Sequence, residues 1–244
     1  MTKRITAEEP ESYWEQAGKI GYAQAMYSSV DVERHVRKRL WNVAIEIADQ
    51  VGIPRNGHVL DYGCGDGAFA NEVLAPLYRA IDGYDIAVAA IERAKLEARG
   101  PHLRFEAVDL VGLDHAGMPR YDGVFLMGIL HHIKMATPVV LRSLRFATDK
   151  MVVLEPNGNH LLRKALEYTA SYRAAGEDSF RTRELIGIFN ASGWQVAAQR
   201  RLNLFPNFTP GWAYRLLGRL EPRIEASRFW NALCTVNMLG VVRR

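Results

Sequence analysis

Cysteine is scarce in this chain, and long apolar runs are absent. The only cysteines among the 244 residues are Cys64 and Cys234, which lie far apart and in no spacing typical of a metal or redox motif. Their scarcity argues against a disulfide framework and for a reducing compartment. No segment approaches the roughly 20 consecutive apolar residues of a membrane span. The N-terminus lacks the charged-then-apolar pattern of a secretion signal, so we expect a cytoplasmic protein.

Positive charge is unevenly distributed along the sequence. The chain has a net charge of +4, and from Arg181 onward ten arginines and no lysine accompany only three carboxylates. A basic C-terminal third is typical of proteins with an anionic partner, such as an anionic substrate, a phospholipid surface or a nucleic acid. A solubilising surface explains the same pattern equally well.

Short apolar segments alternate with helical patterns, and no internal repeat interrupts them. The seven candidate strands are 58–61, 79–85, 103–108, 121–127, 151–154, 194–204 and 233–242. The helical patterns between them predict βαβ units and a parallel sheet. The last strand follows a long connection, and we expect it to be antiparallel to its neighbours. Thr137 and Thr182 are expected to cap two of the helices.

Two segments lie outside this alternating pattern. Residues 1–56 are predicted to form an N-terminal helical lid, since their helical pattern stops at Gly52 and Pro54. Residues 57–244 form the main domain. Within it, residues 205–231 are rich in Pro, Trp and Arg and are long for a plain connection, so we expect a substrate-capping insertion there.

The strongest motif follows the first candidate strand. After Asp61 come glycines at positions 63, 65 and 67, which let the backbone turn sharply and approach a ligand closely. The dinucleotide fingerprint G-x-G-x-x-G is spaced differently. A carboxylate two residues before the first glycine suits a ligand with an ammonium group better than one with phosphates. A tight turn without a ligand is the less favoured alternative, because several spaced features coincide.

Two further carboxylates end the next two strands. Parallel sheets bind ligands at the carboxyl ends of their strands, where Asp85 can hold the two ribose hydroxyls of an adenosine. Asp109 can accept a hydrogen bond from the adenine amino group while Leu110 donates its backbone N–H. Each carboxylate alone would more often be a helix cap. Together with Asp61, they are better explained by one ligand.

The order of these motifs resembles that of the class I S-adenosylmethionine (SAM) dependent methyltransferases. The residues that carry the resemblance are Asp61-x-Gly63-x-Gly65-x-Gly67, Asp85-Ile86, Val108-Asp109-Leu110 and Leu126-Met127-Gly128-Ile-Leu-His-His132. The match covers about residues 57–157 and is similar to the small-molecule branch that includes quinone-biosynthesis enzymes. The resemblance implies an α/β, Rossmann-like doubly wound sheet of seven strands with an antiparallel last strand.

The resemblance also implies a cofactor, SAM, with S-adenosylhomocysteine as its product, and a set of residues that bind it. These residues are Asp61, Gly63, Gly65, Asp85, Ile86, Asp109, Leu110 and Met127. The two glycines would pass under the methionine part of SAM, the second-strand carboxylate would hold the ribose, and the third-strand pair would hold the adenine. Met127 would line the methyl-donor site.

His131 and His132 follow the fourth strand, beside the expected methyl group. A histidine there can take a proton from an acceptor hydroxyl because its usual pKa lies near neutrality. His132 matches a histidine commonly seen at this place in the family. The alternative is that His132 caps the following turn and packs against the sheet. A base is not obligatory, since positioning alone contributes much to an in-line methyl transfer.

Four residues are candidates for contacts with the acceptor. They are Glu155, Asn157, Tyr27 and Trp212. Glu155 can orient a polar group of the substrate or cap the next helix. A metal site built from His132, Glu155 and Asn157 is not expected, because nothing in their spacing demands one.

Aromatic and basic residues near the two ends have two interpretations each. The N-terminal aromatics Tyr13, Trp14, Tyr22 and Tyr27 either cover SAM and substrate or simply pack within the lid. The amphipathic segment 212–223 spaces three arginines, Arg215, Arg219 and Arg223, four residues apart. Its composition fits a peripheral membrane contact. Pro222 limits the helix, however, and we favour a cap over the substrate pocket.

The sequence therefore predicts a methyltransferase that acts on a small, partly apolar acceptor, with a hydroxyl oxygen as the expected target. A nucleic-acid methyltransferase is an alternative, weakened because Met127-Gly-Ile-Leu stands where an Asn/Asp-Pro-Pro-Tyr/Phe signature would be. A non-catalytic SAM-binding protein is a further alternative, and a nicotinamide-dependent oxidoreductase conflicts with the glycine spacing. The acceptor, the methylated atom and the oligomeric state stay open.

Overall fold

One mixed sheet of seven strands forms the centre of the molecule. The computed structural model describes residues 10–205, 209–227 and 229–244. The strands are β1 (His58–Tyr62), β2 (Ala80–Asp85), β3 (Leu103–Ala107), β4 (Gly123–Met127), β5 (Lys150–Pro156), β6 (Trp194–Leu202) and β7 (Val236–Arg243). Their order is β3-β2-β1-β4-β5-β7-β6. Strand β7 is antiparallel to both of its neighbours, and the other pairs are parallel. The predicted seven-stranded sheet with an antiparallel last strand is confirmed.

Helices pack on both faces of this sheet. They are α1 (Pro10–Ile20), α2 (Tyr22–Met26), α3 (Val30–Gln50), α4 (Val88–Leu96), α5 (Thr137–Ala147), α6 (Leu161–Leu166), α7 (Ala170–Ala174), α8 (Thr182–Ala191), α9 (Gly211–Leu217) and α10 (Glu221–Ala226). A π-helical turn covers Ala70–Leu74, and 3₁₀ turns cover Gly218–Leu220 and Trp230–Leu233. None of the helices in the described ranges is long and apolar enough to cross a membrane.

Two apolar cores lie on opposite faces of the sheet. One is built by the second half of α3, by the π-helical turn and by α4, with Ile47 and Ile91 buried in it. The other is built by α5 and α8, with Leu144 and Phe189 buried in it. Because both faces are covered, β1 and β4 are buried over nearly their whole length, as the central strands of such parallel sheets are.

Helix boundaries differ from the sequence expectation in the second half of the chain. Between β5 and α8 the chain forms two short helices, α6 and α7. Ala136 and Arg181, rather than Thr137 and Thr182, occupy the N-cap positions. The Thr137 hydroxyl instead donates to backbone carbonyls of the preceding turn, which takes it away from the capping role.

The strand order reverses between β1 and β4. At such a reversal the loops that follow the two strands diverge to opposite faces and leave a crevice at the carboxyl edge of the sheet. Helices α1 and α2 pack beside this edge, where α1 contacts α4 and α7. The predicted lid 1–56 includes α3, whose second half packs under β5, β6 and β7 as part of the domain core.

Candidate functional site

A cavity of about 640 Å³ opens at the carboxyl edge of the sheet, where the strand order reverses. Eleven of the fourteen predicted site residues line it. They are Tyr27, Asp61, Gly63, Gly65, Asp85, Ile86, Asp109, Leu110, Met127, His131 and His132. Residues from the ends of four strands and from the N-terminal helices thus converge on one space.

The glycine loop forms the floor of this cavity beside β1. Gly63, Gly65 and Gly67 have φ angles of 83°, 56° and 72°, a left-handed conformation that favours glycine. The Gly63 amide donates to the Tyr84 carbonyl at 2.8 Å, and the Gly65 amide donates to Oδ2 of Asp85, also at 2.8 Å. The loop is therefore fixed against the end of β2, with Gly63 and Gly65 at the cavity wall.

Asp61 presents to the cavity a buried carboxylate without any partner for its charge among the described residues. Its side chain is 1% exposed, and neither carboxylate oxygen has a hydrogen-bond partner in the described chain. Burial, and secondarily the charge of Asp85, raises the pKa of Asp61 to about 8. A buried carboxylate without a partner is costly, and an ammonium group would satisfy it. Asp61 therefore fits the amino group of SAM.

The two predicted adenosine contacts have different surroundings. Oδ1 of Asp85 accepts from the Ala87 amide at 2.9 Å, so both of its oxygens hold backbone groups and keep lone pairs for a ligand. Burial raises the pKa of Asp85. Asp109 is exposed at the rim, where its Oδ1 accepts from the Val111 amide at 3.0 Å. Each carboxylate is thus oriented by the loop that follows its own strand.

Aromatic side chains of the first two helices cover the glycine loop. The ring of Tyr22 lies directly over Gly65, where an added Cβ would overlap it, and the Tyr22 amide donates to Oδ2 of Asp66 at 3.1 Å. The indole of Trp14 meets the rings of Tyr22 and His132 edge to face, with centroids 5.5 and 4.8 Å apart. The N-terminal aromatics therefore line the cavity as well as pack on one another.

His131 is held between two carboxylates. Its Nδ1 lies 2.8 Å from Oε2 of Glu155, and its Nε2 lies 3.3 Å from Oε2 of Glu177. Burial opposes the charged form, but Glu155 and Glu177 outweigh it and raise the pKa of His131 to about 9. At neutral pH both ring nitrogens are protonated and donate to these carboxylates, so His131 has no free nitrogen to accept a proton from a substrate.

The pKa of His132 is shifted in the opposite direction to that of His131. Burial, helped by the charge of His131, lowers the pKa of His132 to about 3, so the ring is neutral at physiological pH. Its Nδ1 is buried and has no hydrogen-bond partner in the described residues. His132 thus offers a lone pair at the cavity wall. Of the two histidines, His132 is therefore the one that can accept a proton.

Glu177 was not identified from the sequence. It follows α7 in a loop without periodicity, and no local motif marks it. Burial opposes its charge, but His131 and Arg163 outweigh this and lower the pKa of Glu177 to about 2. The Arg163 guanidinium bonds directly to its carboxylate. Two other cavity residues, Arg37 and Trp41, also gave no sequence signal.

Three side chains of the cavity wall each offer an atom that could bind a metal ion. The nearest such atoms of His131, His132 and Glu177 lie within 4.8 Å of one another. Glu155 and Asn157, which were weighed with His132 as a metal site, do not join this group. Because Arg163 already neutralises Glu177, we assign no metal to it.

Three predicted substrate contacts lie outside the cavity lining. Glu155 is fully buried and accepts from the Leu130 amide at 2.8 Å, so it anchors the loop after β4. Asn157 donates to the Cys234 carbonyl at 2.8 Å and ties β5 to the approach of β7. Trp212, on α9, is 67% exposed. These positions correct the expectation that the three residues touch the acceptor.

Comparisons with known proteins agree with this geometry. The profile of a family described as a methyltransferase domain matches residues 33–199. A search of curated proteins finds no match. The solved structures described next are 11–16% identical to this chain, and likeness at such low identity indicates a common fold.

Three solved structures illustrate that fold. Magnesium protoporphyrin IX methyltransferase from Synechocystis PCC 6803 with bound SAH is 16% identical, with a TM-score of 0.59 over 88% of this chain and 86% of that one. The cyclase SpnF is 15% identical, with a TM-score of 0.65 over 100% and 99%. The N-methyltransferase NodS from Bradyrhizobium japonicum WM9 is 11% identical, with a TM-score of 0.56 over 85% and 96%.

Proposed function

The chain belongs to the methyltransferase domain family and is a SAM-dependent methyltransferase, and from that premise we propose that it methylates a hydroxyl oxygen of a small, partly apolar acceptor. The observation that carries this proposal is the neutral His132, whose Nδ1 has no partner at the cavity wall. A hydroxyl group is the acceptor that such a lone pair can orient by accepting its hydrogen bond, and His132 can take the proton as methylation makes the oxygen strongly acidic.

The residues that would hold SAM are those of the glycine loop and the strand ends. Asp61 would bind its amino group, Asp85 its ribose hydroxyls, and Asp109 with Leu110 its adenine. When bound, SAM supplies an electrophilic methyl carbon on a sulfonium. Tyr22 and Trp14 exclude water from the loop and from His132.

Proton transfer in this proposal belongs to His132 alone. Nδ1 of His132 accepts the proton that the acceptor hydroxyl loses as its oxygen is alkylated. The imidazolium that forms lies beside the carboxylate of Glu177, whose charge favours it. His131, already protonated, acts as a positioning residue, since it holds the carboxylates and packs against His132 with ring centroids 3.9 Å apart.

The part of the cavity that we assign to the acceptor favours a molecule that is largely apolar. Leu40, Trp41, Met127 and Leu154 line it. The nearby Arg37 is stacked over Trp41 and paired with Glu33 at 2.7 Å, so its charge is already balanced. An uncharged aromatic or aliphatic alcohol suits such walls better than a polyanion.

The test is methyl transfer from labelled SAM to a panel of phenols, catechols and alkyl alcohols, with primary amines, carboxylic acids and an RNA oligonucleotide as alternatives. We expect label in hydroxyl acceptors. His132→Gln should lower kcat by about 100- to 10,000-fold without changing SAH affinity, while the distant His102→Gln keeps wild-type turnover. Label that enters only amines or RNA, or equal kcat in the two variants, would contradict the proposal.

A further inference from the structure

The insertion between β6 and β7 separates its acidic side chains from its basic ones. Its two carboxylates, Glu221 and Glu225, turn inward and bind Arg39 of α3. Glu221 is fully buried and also accepts from the Tyr214 hydroxyl at 3.1 Å. Ion pairs with Arg39 therefore hold the inward face of the insertion against α3.

The outward face has the opposite composition. Arg215, Arg219 and Arg223 are all exposed, and Arg215 has only a loose ion pair, 3.4 Å long, with the exposed Asp31. No carboxylate of the insertion accompanies them on this side. The outward face is therefore positively charged although the chain as a whole carries only +4.

Large apolar side chains are exposed beside these arginines. They are Trp212, Leu216, Leu220, Phe229, Trp230 and Leu233, between 44% and 77% exposed. Trp212, Leu216 and Leu220 repeat every four residues, which puts them on one side of α9 and the turn after it. We call these six residues, with Arg215, Arg219 and Arg223, the outer face of the insertion. Several large apolar side chains exposed within one segment are typical of an interaction site.

We propose that the outer face binds an anionic lipid surface. Exposed tryptophan, phenylalanine and leucine can enter the boundary between headgroups and acyl chains, while arginines meet the negative headgroups. The burial of both carboxylates against Arg39 removes the charges that would oppose this contact. Trp212 and the three arginines are exposed and do not line the cavity, which favours this contact over the predicted cap.

The same insertion is attached to the wall of the cavity. Tyr214 packs with Val32 and Val36 of α3, and Tyr27, which lines the cavity, packs against that cluster. The Ser28 hydroxyl donates to the Thr209 carbonyl at 2.7 Å. If the proposed function holds, a lipid surface at the outer face would bring an acceptor dissolved in the lipid to the cavity. This last step rests on the proposed function, and the lipid binding does not.

The test is sedimentation of the purified protein with vesicles of phosphatidylcholine alone and of an equal mixture with phosphatidylglycerol, at low and high salt. We expect binding to the mixed vesicles that weakens at high salt. Replacing Arg215, Arg219 and Arg223 together by Gln should weaken it by about 100-fold, since each contributes roughly 1 kcal/mol, or about fivefold, at an anionic surface. Arg183→Gln, an exposed arginine of α8, is the matched control.

Aromatic variants test the apolar half of the same surface. Trp212→Ser with Phe229→Ser should abolish binding, whereas Phe146→Ser, at a residue 62% exposed on α5, should not. Unchanged SAH affinity shows that each variant is folded, and vesicle binding is measured without turnover. No binding to the mixed vesicles, or equal binding by all variants, overturns the proposal. Tighter salt-sensitive binding to an RNA oligonucleotide, or a dimer that Trp212→Ser dissociates, also overturns it.

Discussion

Nδ1 of His131 lies 2.8 Å from Oε2 of Glu155, and both side chains are buried between β5 and the loop after β4. The same carboxylate accepts from the amides of Leu130 and His131, at 2.8 and 3.2 Å. One fully buried acid thus fixes the segment that presents His132 to the cavity. Glu155, which was expected to touch the substrate, therefore positions the histidine that we propose as the proton acceptor.

Loss of this pair should be costly to stability. Glu155→Gln leaves the His131 charge partly uncompensated and is expected to lower the free energy of unfolding by about 3–5 kcal/mol. Urea denaturation measures the change. The control is Glu46→Gln, which breaks an exposed pair with Arg200 and should cost about 1 kcal/mol or less. Equal losses in the two variants would show that the buried pair does not hold the loop.

Asp61 should have opposite effects on stability and on cofactor binding. Its folded pKa of about 8 exceeds its ordinary value of 3.8, so the ligand-free protein loses stability as the pH rises through that interval. Asp61→Asn removes this penalty, and at about pH 8 its Tm should rise by about 2–4 °C for each kcal/mol recovered.

The same substitution should weaken SAH binding by about tenfold or more, because a charge-assisted hydrogen bond is lost. Asp82→Asn is the matched control on β2, since Asp82 is satisfied by Tyr121 and His58. It should lower the Tm and leave SAH affinity unchanged. A variant at position 61 that is less stable and still binds SAH normally would refute the assignment of Asp61.

Cofactor binding should release a proton. Near neutral pH most Asp61 side chains are protonated in the ligand-free protein, whereas an ammonium partner requires the carboxylate. Titration calorimetry with SAH in two buffers of different ionisation enthalpy should therefore give release of close to one proton. The release should vanish above about pH 9 and in Asp61→Asn. Heats that are independent of the buffer would contradict the predicted contact.

Gly65 and Tyr22 should be energetically coupled. Gly65→Ala places a Cβ against the Tyr22 ring at a φ of 56°, so a loss of about 1–3 kcal/mol is expected from overlap and backbone strain. Adding Tyr22→Ala should recover the part that comes from overlap. Gly187→Ala, where a Cβ meets nothing within 4 Å, should instead stabilise α8 by about 0.5–1 kcal/mol. Additive effects at positions 65 and 22 would mean that the ring does not cover the loop.

The sheet and the cofactor loop were predictable because their signals are local. Buried parallel strands read as short apolar runs, and the glycines after Asp61 stand where the backbone adopts positive φ. The strand-end carboxylates converge because parallel strands share one carboxyl edge. Each of these inferences needs only neighbouring residues and the topology.

The rest depends on packing between distant segments. Glu177 reaches His131 from a loop 46 residues further along the chain, and no periodicity marks that loop. Glu155 has the sequence position of an active-edge residue, but its side chain points into the protein. For Trp212, the amphipathic pattern shows that α9 has two faces and not which of them packs against α3.

Binding of SAH at the glycine loop is the central requirement of the proposed function. Calorimetric titration of the purified protein with SAH and, separately, with NADH tests this. We predict binding of SAH, none of NADH, and a loss of about tenfold or more in Asp85→Ala, the consequence of removing one charge-assisted ribose contact. Binding of NADH, or SAH affinity that is unchanged in Asp85→Ala, would contradict the account.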